Sequence, residues 1–570
     1  ASTIAMSGGT LDADNSSTLS GTLTQSGNIT IDVADNKTLT YSGTAISLGA
    51  NTLTLIGGGT LSNTNALVLN DANSLLTLAG ILTIGDVEGT AASNSGKGIL
   101  VTSSATLGDY DLSAVSYLSI AANQTLAGQL NLQANGELKT SGDGQYIGDI
   151  ALAGGKFSAT DSQVLSGTLS ITADSELRVS ENYTLTLSQA GGLSLGANTL
   201  TLSGGGSLVS GGLTLDNASS KLVLNSITVD NVSTSSNSLG LDVDNNSTVS
   251  SLTVGHTTPV SIASSRTLSG AITVTAGSIK LDETGTLAST ISMSGGELDA
   301  DNSSTLSGTL TQAGNITIDV ADNKTLTYSG TAISLGANTL TLSGGGSLVS
   351  GGLTLNNASS KLLLNSITVD NVSTTSDSLG LDVDANSTVT SLSVANITPV
   401  SIASGSSLSG GITVTAGSLK LSEAGTLAST ISMSGGKIDA DESLTVSGTL
   451  TQSGAITIDV ADNKTLTYSG AAISVGANTL TLSGGGSLVS GGLTLNDASS
   501  KLLLSSITVD NVSTSANSLG LDVDNNSTIT ALSVGYITPV SIASGKTLSG
   551  AITVTAGSIK LDETGTLAST

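Results

Sequence analysis

The chain has 570 residues, of which 70 are Gly, 3 Pro, 8 Tyr, one Phe and none Cys or Trp, with 43 acidic side chains against 16 basic ones and a single His. So few aromatics cannot line a large enzyme's pocket or stack on sugars, nucleobases or flavins, and a net charge of −27 opposes phosphate backbones and anionic bilayers, which bind through Lys and Arg. Without Cys there are no disulfides, thiolate metal sites or thiol chemistry, and the composition predicts no nucleic-acid partner, no direct membrane insertion and no enzyme.

Leu, Ile, Val and Phe make up roughly a quarter of the chain, enough for a core despite a charged fraction of 10%. The opening residues lack a basic segment followed by an apolar one, and no apolar run approaches the length of a membrane span. This predicts a mature or excised segment without signal peptide or transmembrane helix.

Taken in chain order, the sequence is a repeat. It opens on Ala1-Ser2-Thr3-Ile4-Ala5-Met6, closely similar strings begin at Ala288 and Ala428, and Ala568-Ser569-Thr570 opens another. The period is therefore about 140 residues, several times the length of a single solenoid repeat. Ala288 lies seven positions further from Ala1 than two periods would place it. The surplus is traced to a diverged block at about 58–204, because Asn51 to Leu55 matches Asn198 to Leu202 at a spacing that exceeds one period by the same seven. The repeat units read as 1–147 and 148–287, both partly divergent, then 288–427 and 428–567, all within one continuous array over 1–570. Cutting before each residue that opens an apolar pair, at Thr286, Thr305, Thr325, Ser347, Ile367, Thr388 and Ser407, divides the long unit into segments of about 19 to 22 residues, the size of one turn of a β-solenoid. The inserted block is then seven whole turns, the kind of insertion that a stack of turns tolerates.

Each segment carries three short stretches of period-two alternation separated by Gly, Asn, Asp or Ser. From Thr305 to Lys324 these are Thr305-Leu306, Thr309-Leu310-Thr311 and Asn315-Ile316-Thr317-Ile318. Alternation rich in Thr, Val and Ile predicts strands, and the separators predict turns. The fold class expected is all-β: a right-handed parallel β-helix, or β-solenoid, roughly triangular, with about 20 residues per turn and roughly 28 turns. Leu306 is expected to stack on Leu326 and Leu348, and Ile316 and Ile318 on Leu340 and Leu342. At about 4.8 Å per turn the rod would be about 135 Å long. The turns are too long for a left-handed helix of three hexapeptides per turn. The Gly triplets Gly204 to Gly206, Gly344 to Gly346 and Gly484 to Gly486 lack the Asp of calcium-binding nonapeptide rolls.

The stretch Thr305-Leu306-Ser307-Gly308-Thr309-Leu310-Thr311-Gln312-Ala313-Gly314-Asn315-Ile316 resembles the repeats of filamentous-haemagglutinin-type adhesins, and Asn338-Thr339-Leu340-Thr341-Leu342-Ser343-Gly344-Gly345 resembles autotransporter passenger repeats. The resemblance covers the whole chain and implies an exported rod at the bacterial cell surface or released from it.

Few residues suggest chemistry. His256 has Asn396 and Tyr536 as its counterparts one and two periods on, which makes it a solvated turn residue. Pro259, Pro399 and Pro539 share one phase, with Tyr117 in the inserted copy, and are expected at the first residue of a strand. The Gly triplets precede no Gly-Lys-Ser/Thr and read as corners that need positive φ. The acidic segments Asp299-Ala300-Asp301, Asp319-Val320-Ala321-Asp322 and Asp382-Val383-Asp384 are expected in turns after third strands, with further copies at Asp12/Asp14 and Asp439/Asp441. Carboxylates stacked about 5 Å apart would invite Ca²⁺ at Asp299, Asp301, Asp319 and Asp322; solvation with Asx-turn bonding is the plainer reading. No other cofactor is expected. Thr-x-Thr pairs such as Thr339/Thr341 and Thr413/Thr415 are what an ice-binding face needs, but Asp319, Lys361 and Lys420 interrupt the rows. Asn28-Ile29-Thr30 and Asn36-Lys37-Thr38 are glycosylation triplets that this composition produces by chance.

The function expected is a structural repeat rod of an extracellular bacterial adhesin or surface filament, giving reach, rigidity and attachment to host or neighbouring cell surfaces or matrix. The alternative is a ligand-binding solenoid for calcium, glycan or, least, ice. Because residues 568–570 repeat the opening, further copies joined end to end are the expected partners, in fibres about 20 to 30 Å across.

Overall fold

The structure, a computed structural model, describes residues 2–80 and 82–569. Ala1 and Thr570, which bound the sequence array, and Ile81 lie outside the described residues. Among the described residues every element is a strand and there is no helix, so none that could cross a membrane. The chain is a parallel β-solenoid of about 28 turns with roughly 20 residues in each. Its contacts divide it into two compact units, Ala1–Thr290 and Ile291–Thr570, built on the same plan.

In the second unit one turn consists of the strands Ser304–Leu306, Leu310–Gln312 and Ile316–Val320, and the next of Thr325–Tyr328, Ile333–Ser334 and Thr339–Ser343. The third side is the clearest expression of the sequence pattern. Ile316, Ile318 and Val320 are buried while Thr317 and Asp319 face outward. Ile316 stacks on Leu340 and Ile318 on Leu342, and these continue to Leu362 and Leu364. Such buried side chains each contribute about 1.5–3 kcal/mol. Because each ladder needs the turn on either side, no turn is stable alone. Turn length varies more than the sequence cuts suggest: the step from Leu362 to Leu381 is short, whereas that from Ile318 to Leu342 exceeds the longest segment expected.

On the first side the register differs from expectation by two residues. Leu306 stacks on Tyr328, and Leu326 lies over Ser304, although Leu326 does continue to Leu348. Matching Thr-Leu pairs misaligned this step because Ser304, only 5% exposed, takes an inward place and donates its hydroxyl to the Asn302 carbonyl at 3.2 Å. In the next copy the same place is held by Leu444, which stacks on Leu466.

Tyr328 fills this corner. Its hydroxyl accepts the Leu310 backbone N–H at 3.0 Å, and Tyr41 and Tyr468 do the same for Leu23 and Leu450 at 3.0 and 2.9 Å. The Gly triplets are corners, as expected: Gly344 and Gly345 have φ of 103° and 80°, values that side chains disfavour. The prolines lie one or two residues inside their strands, not first; Pro399 belongs to Ile397–Ile402. The ladder to the preceding turn begins only at Leu381 and Val400, so the missing N–H still falls outside it.

In the first unit the diverged block enters and leaves at equivalent corners. Thr52–Ile56 runs into Gly57 to Gly59 and Thr199–Ser203 into Gly204 to Gly206. Thr60 then pairs with Thr38, and Ser207 with Thr184. Inside the block Phe157, Tyr110 and Tyr146 are buried, and burial pushes the Tyr110 phenol up to about 12 against the opposing effect of its hydrogen bond to Ser116.

Candidate functional site

The acidic residues singled out in the sequence lie on and beside the third side. Asp299 and Asp319 are not in turns: they belong to the strands Glu297–Ala300 and Ile316–Val320 and stack directly on each other, while Asp382 belongs to Gly380–Val383. The strands run one or two residues further than the apolar pattern suggests because the outward position tolerates a carboxylate. Asp301, Asp322 and Asp384 occupy the following turns. Asp319 accepts the Ser343 hydroxyl, and a side chain on Gly345 would collide with the Asp322 carboxylate, so this acid folds back over the next turn's glycine corner. Among the described residues no three of the His, Asp and Glu side chains form a group that could hold a metal ion.

In the next copy the equivalent pair, Asp439 over Asp459, is bridged by a lysine. Lys437 reaches Asp439 at 3.2 Å and Asp459 at 3.0 Å. Burial works to raise the Asp459 pKa, but the hydrogen bonds from Ser483 and Lys437 outweigh it and hold the carboxyl below its ordinary range. Burial likewise opposes the Lys437 charge, and its hydrogen bonds to Asp459 and Asp439 keep its pKa raised.

Other acids and amides brace successive turns, a role that sequence reading missed. Asp370 accepts the Ser350 backbone N–H at 2.8 Å and its hydroxyl at 2.9 Å; Asp510 repeats this at Ser490, and Asp230 at Ser210. Asn28 and Asn315 accept the N–H groups of Thr52 and Thr339, both at 2.8 Å. Asn36, by contrast, is exposed at a corner with φ of 58°, a conformation in which Asn is favoured. The signal for the Ser–Asp braces was their recurrence in phase at Asp230, Asp370 and Asp510, whereas the Asn brace is missing from the third copy, which has Ala455 at that place. His256 is an exposed bend residue. The outward Thr rows are broken, since Thr339 is followed by Lys361 and Thr341 by Leu363.

The diverged block carries what the regular copies lack. Two outward columns run from turn to turn along its third side: Val115, Glu137, Lys156, Glu176 and Thr201 in one, and Tyr117, Lys139, Ser158, Arg178 and Ser203 in the other. Lys156 pairs with Glu176 at 3.1 Å, the Ser203 hydroxyl donates to Glu176 at 2.5 Å, and the Ser158 hydroxyl donates to Glu137 at 2.7 Å. The Lys139 ammonium lies 5.4 Å from the Tyr117 ring centre. Over these columns open two neighbouring hollows of about 450 and 530 Å³ that share Glu176 and Thr201 in their linings. The sequence signal was the block's divergence, read there as a diverged copy inserted in whole turns. No family model, no curated protein and no solved structure matches the chain.

Proposed function

We propose that the chain is the structural repeat rod of an extracellular bacterial adhesin or surface filament of the filamentous-haemagglutinin or autotransporter-passenger kind, acting by reach and rigidity rather than by catalysis. The observation that carries this is the in-phase recurrence of the same braces at the same stations. The Ser350–Asp370 pair returns as Ser490–Asp510, and the Tyr328 corner returns as Tyr468. A catalytic site is a singular place, whereas a spacer benefits from many identical, mutually supporting turns. The proposal includes end-to-end association with further copies and contact with a host or neighbouring-cell surface. Electron microscopy of the purified chain, together with antibody labelling of cells that produce it, tests the reading. Slender rods and label on the cell exterior are expected; compact globules or label confined to the interior would overturn it.

A further inference from the structure

The regular copies stack an acid on an acid at one station of the third side: Asp12 on Asp32, Asp299 on Asp319, and Asp439 on Asp459. In the diverged block this station is inverted. Arg178 stacks on Ser203 as Asp319 stacks on Ser343, and the residue beneath Arg178 is Ser158, where the regular copies have the lower Asp. Arg178 is one of two arginines in a chain of net charge −27. It is exposed and makes no hydrogen bond or ion pair among the described residues, although Lys156, one strand away, is paired with Glu176. The uncommitted Arg178 side chain thus lines the hollow of about 530 Å³, which shares Glu176 and Thr201 with its neighbour of about 450 Å³.

The geometry points to a binding site for a uronate-bearing oligosaccharide laid along the stacking direction, its carboxylate on Arg178 and its hydroxyls on the Glu137–Lys156–Glu176 column. Three features fit this ligand. A guanidinium offers two parallel N–H donors to a carboxylate, a geometry that ammonium groups do not match. The column supplies alternating acceptors and donors at about 4.8 Å per turn, close to the advance of one sugar in an extended chain, and the hollows fall within the range of about 300–1,000 Å³ usual for ligand sites. Glu137, Asp174, Glu176 and Glu181 also line the two hollows, so the uronate carboxylate is confined to the Arg178 end, where Glu176 is already paired with Lys156; acids more than about 8 Å away are largely screened at physiological ionic strength. The site stands apart from the rod's mechanical role, and its failure would leave that reading in place.

Oligogalacturonate and hyaluronan oligosaccharides, with methyl-esterified oligogalacturonate as the uncharged control, would be titrated into the full chain by calorimetry at physiological salt. Expected is saturable binding of at least one uronate, weakened about tenfold or more by Arg178→Asp, which restores the residue type of the regular copies, and less by Arg178→Lys. The double variant Lys361→Thr/Asp382→Thr, which removes a comparable half-buried pair (2.8 Å) in the second unit, should bind as wild type. Thermal melts equal to wild type would show that the Arg178 variants are folded. No binding of either uronate, equal binding by Arg178→Asp, or equal binding of the methyl ester would overturn the proposal.

Discussion

At the scale of single residues, the molecule depends on which way a side chain faces. Leu340 has no exposed surface and Thr341 beside it faces outward. Leu340→Ala should cost about 2–5 kcal/mol and Leu340→Asp more, because an unpaired carboxylate would sit in the aliphatic ladder. Thr341→Asp should stay within about 0.5 kcal/mol; equal thermal melts for Leu340→Asp and Thr341→Asp would refute the register. Tyr328→Phe should cost about 1–3 kcal/mol by leaving the buried Leu310 N–H without its acceptor, while Tyr117→Phe, whose ring packs beside the Lys139 ammonium, should melt as wild type. Asp459 has a depressed pKa, so its contribution is present above the ordinary carboxylate value of about 3.9 and is lost as pH falls through the lower folded value. The melting difference between wild type and Asp459→Asn should therefore be largest near neutral pH and vanish in acid. A difference that grows on acidification would contradict the Lys437 bridge. Millimolar Ca²⁺ should leave the melt nearly unchanged; a rise of several degrees abolished by Asp299→Asn would instead assign the ion to the stacked pair.

At the scale of elements, strands were legible where inward and outward residues alternate, as in Ile316–Val320, because burial on one face imposes a period of two. Register was less legible. Thr305-Leu306 and Thr325-Leu326 look alike, yet they are two residues out of step, since the buried Ser304 and the Tyr328 corner together set the alignment. The braces across turns were also hidden, because an Asp facing solvent and an Asp holding the preceding corner's N–H look the same in one dimension. Asp370→Ala should cost about 1–3 kcal/mol by freeing the Ser350 N–H and hydroxyl. Hydrogen exchange should localise the loss to the Ser350 corner, and uniform loosening of the whole unit would argue against a local brace.

At the scale of the whole molecule, the diverged block is removable by its geometry. Deleting residues 58–204 joins Gly57 to Gly205-Gly206-Ser207 and rebuilds a complete triplet corner, leaving Ser207 to pair where Thr60 now pairs with Thr38. The shortened chain should keep a β-rich circular dichroism spectrum and melt within a few degrees of wild type, whereas a deletion ending half a turn earlier should lower the melt sharply, because it leaves a fractional turn. Uronate binding should disappear from the shortened chain even as its fold survives.

The sequence alone determined the repeat, the strand character and the whole-turn insertion, since these follow from period and from the alternation that burial demands. Tertiary structure decided how adjacent turns align and which polar residues touch. Asp299 and Asp319 lie a full turn apart in the chain yet stack directly on each other, and Arg178 acquires meaning only because it occupies the station held elsewhere by Asp319. Contacts between turns depend on how many residues each corner consumes, and that number is set by glycine conformation and buried hydroxyls, which a local pattern of apolar residues does not encode.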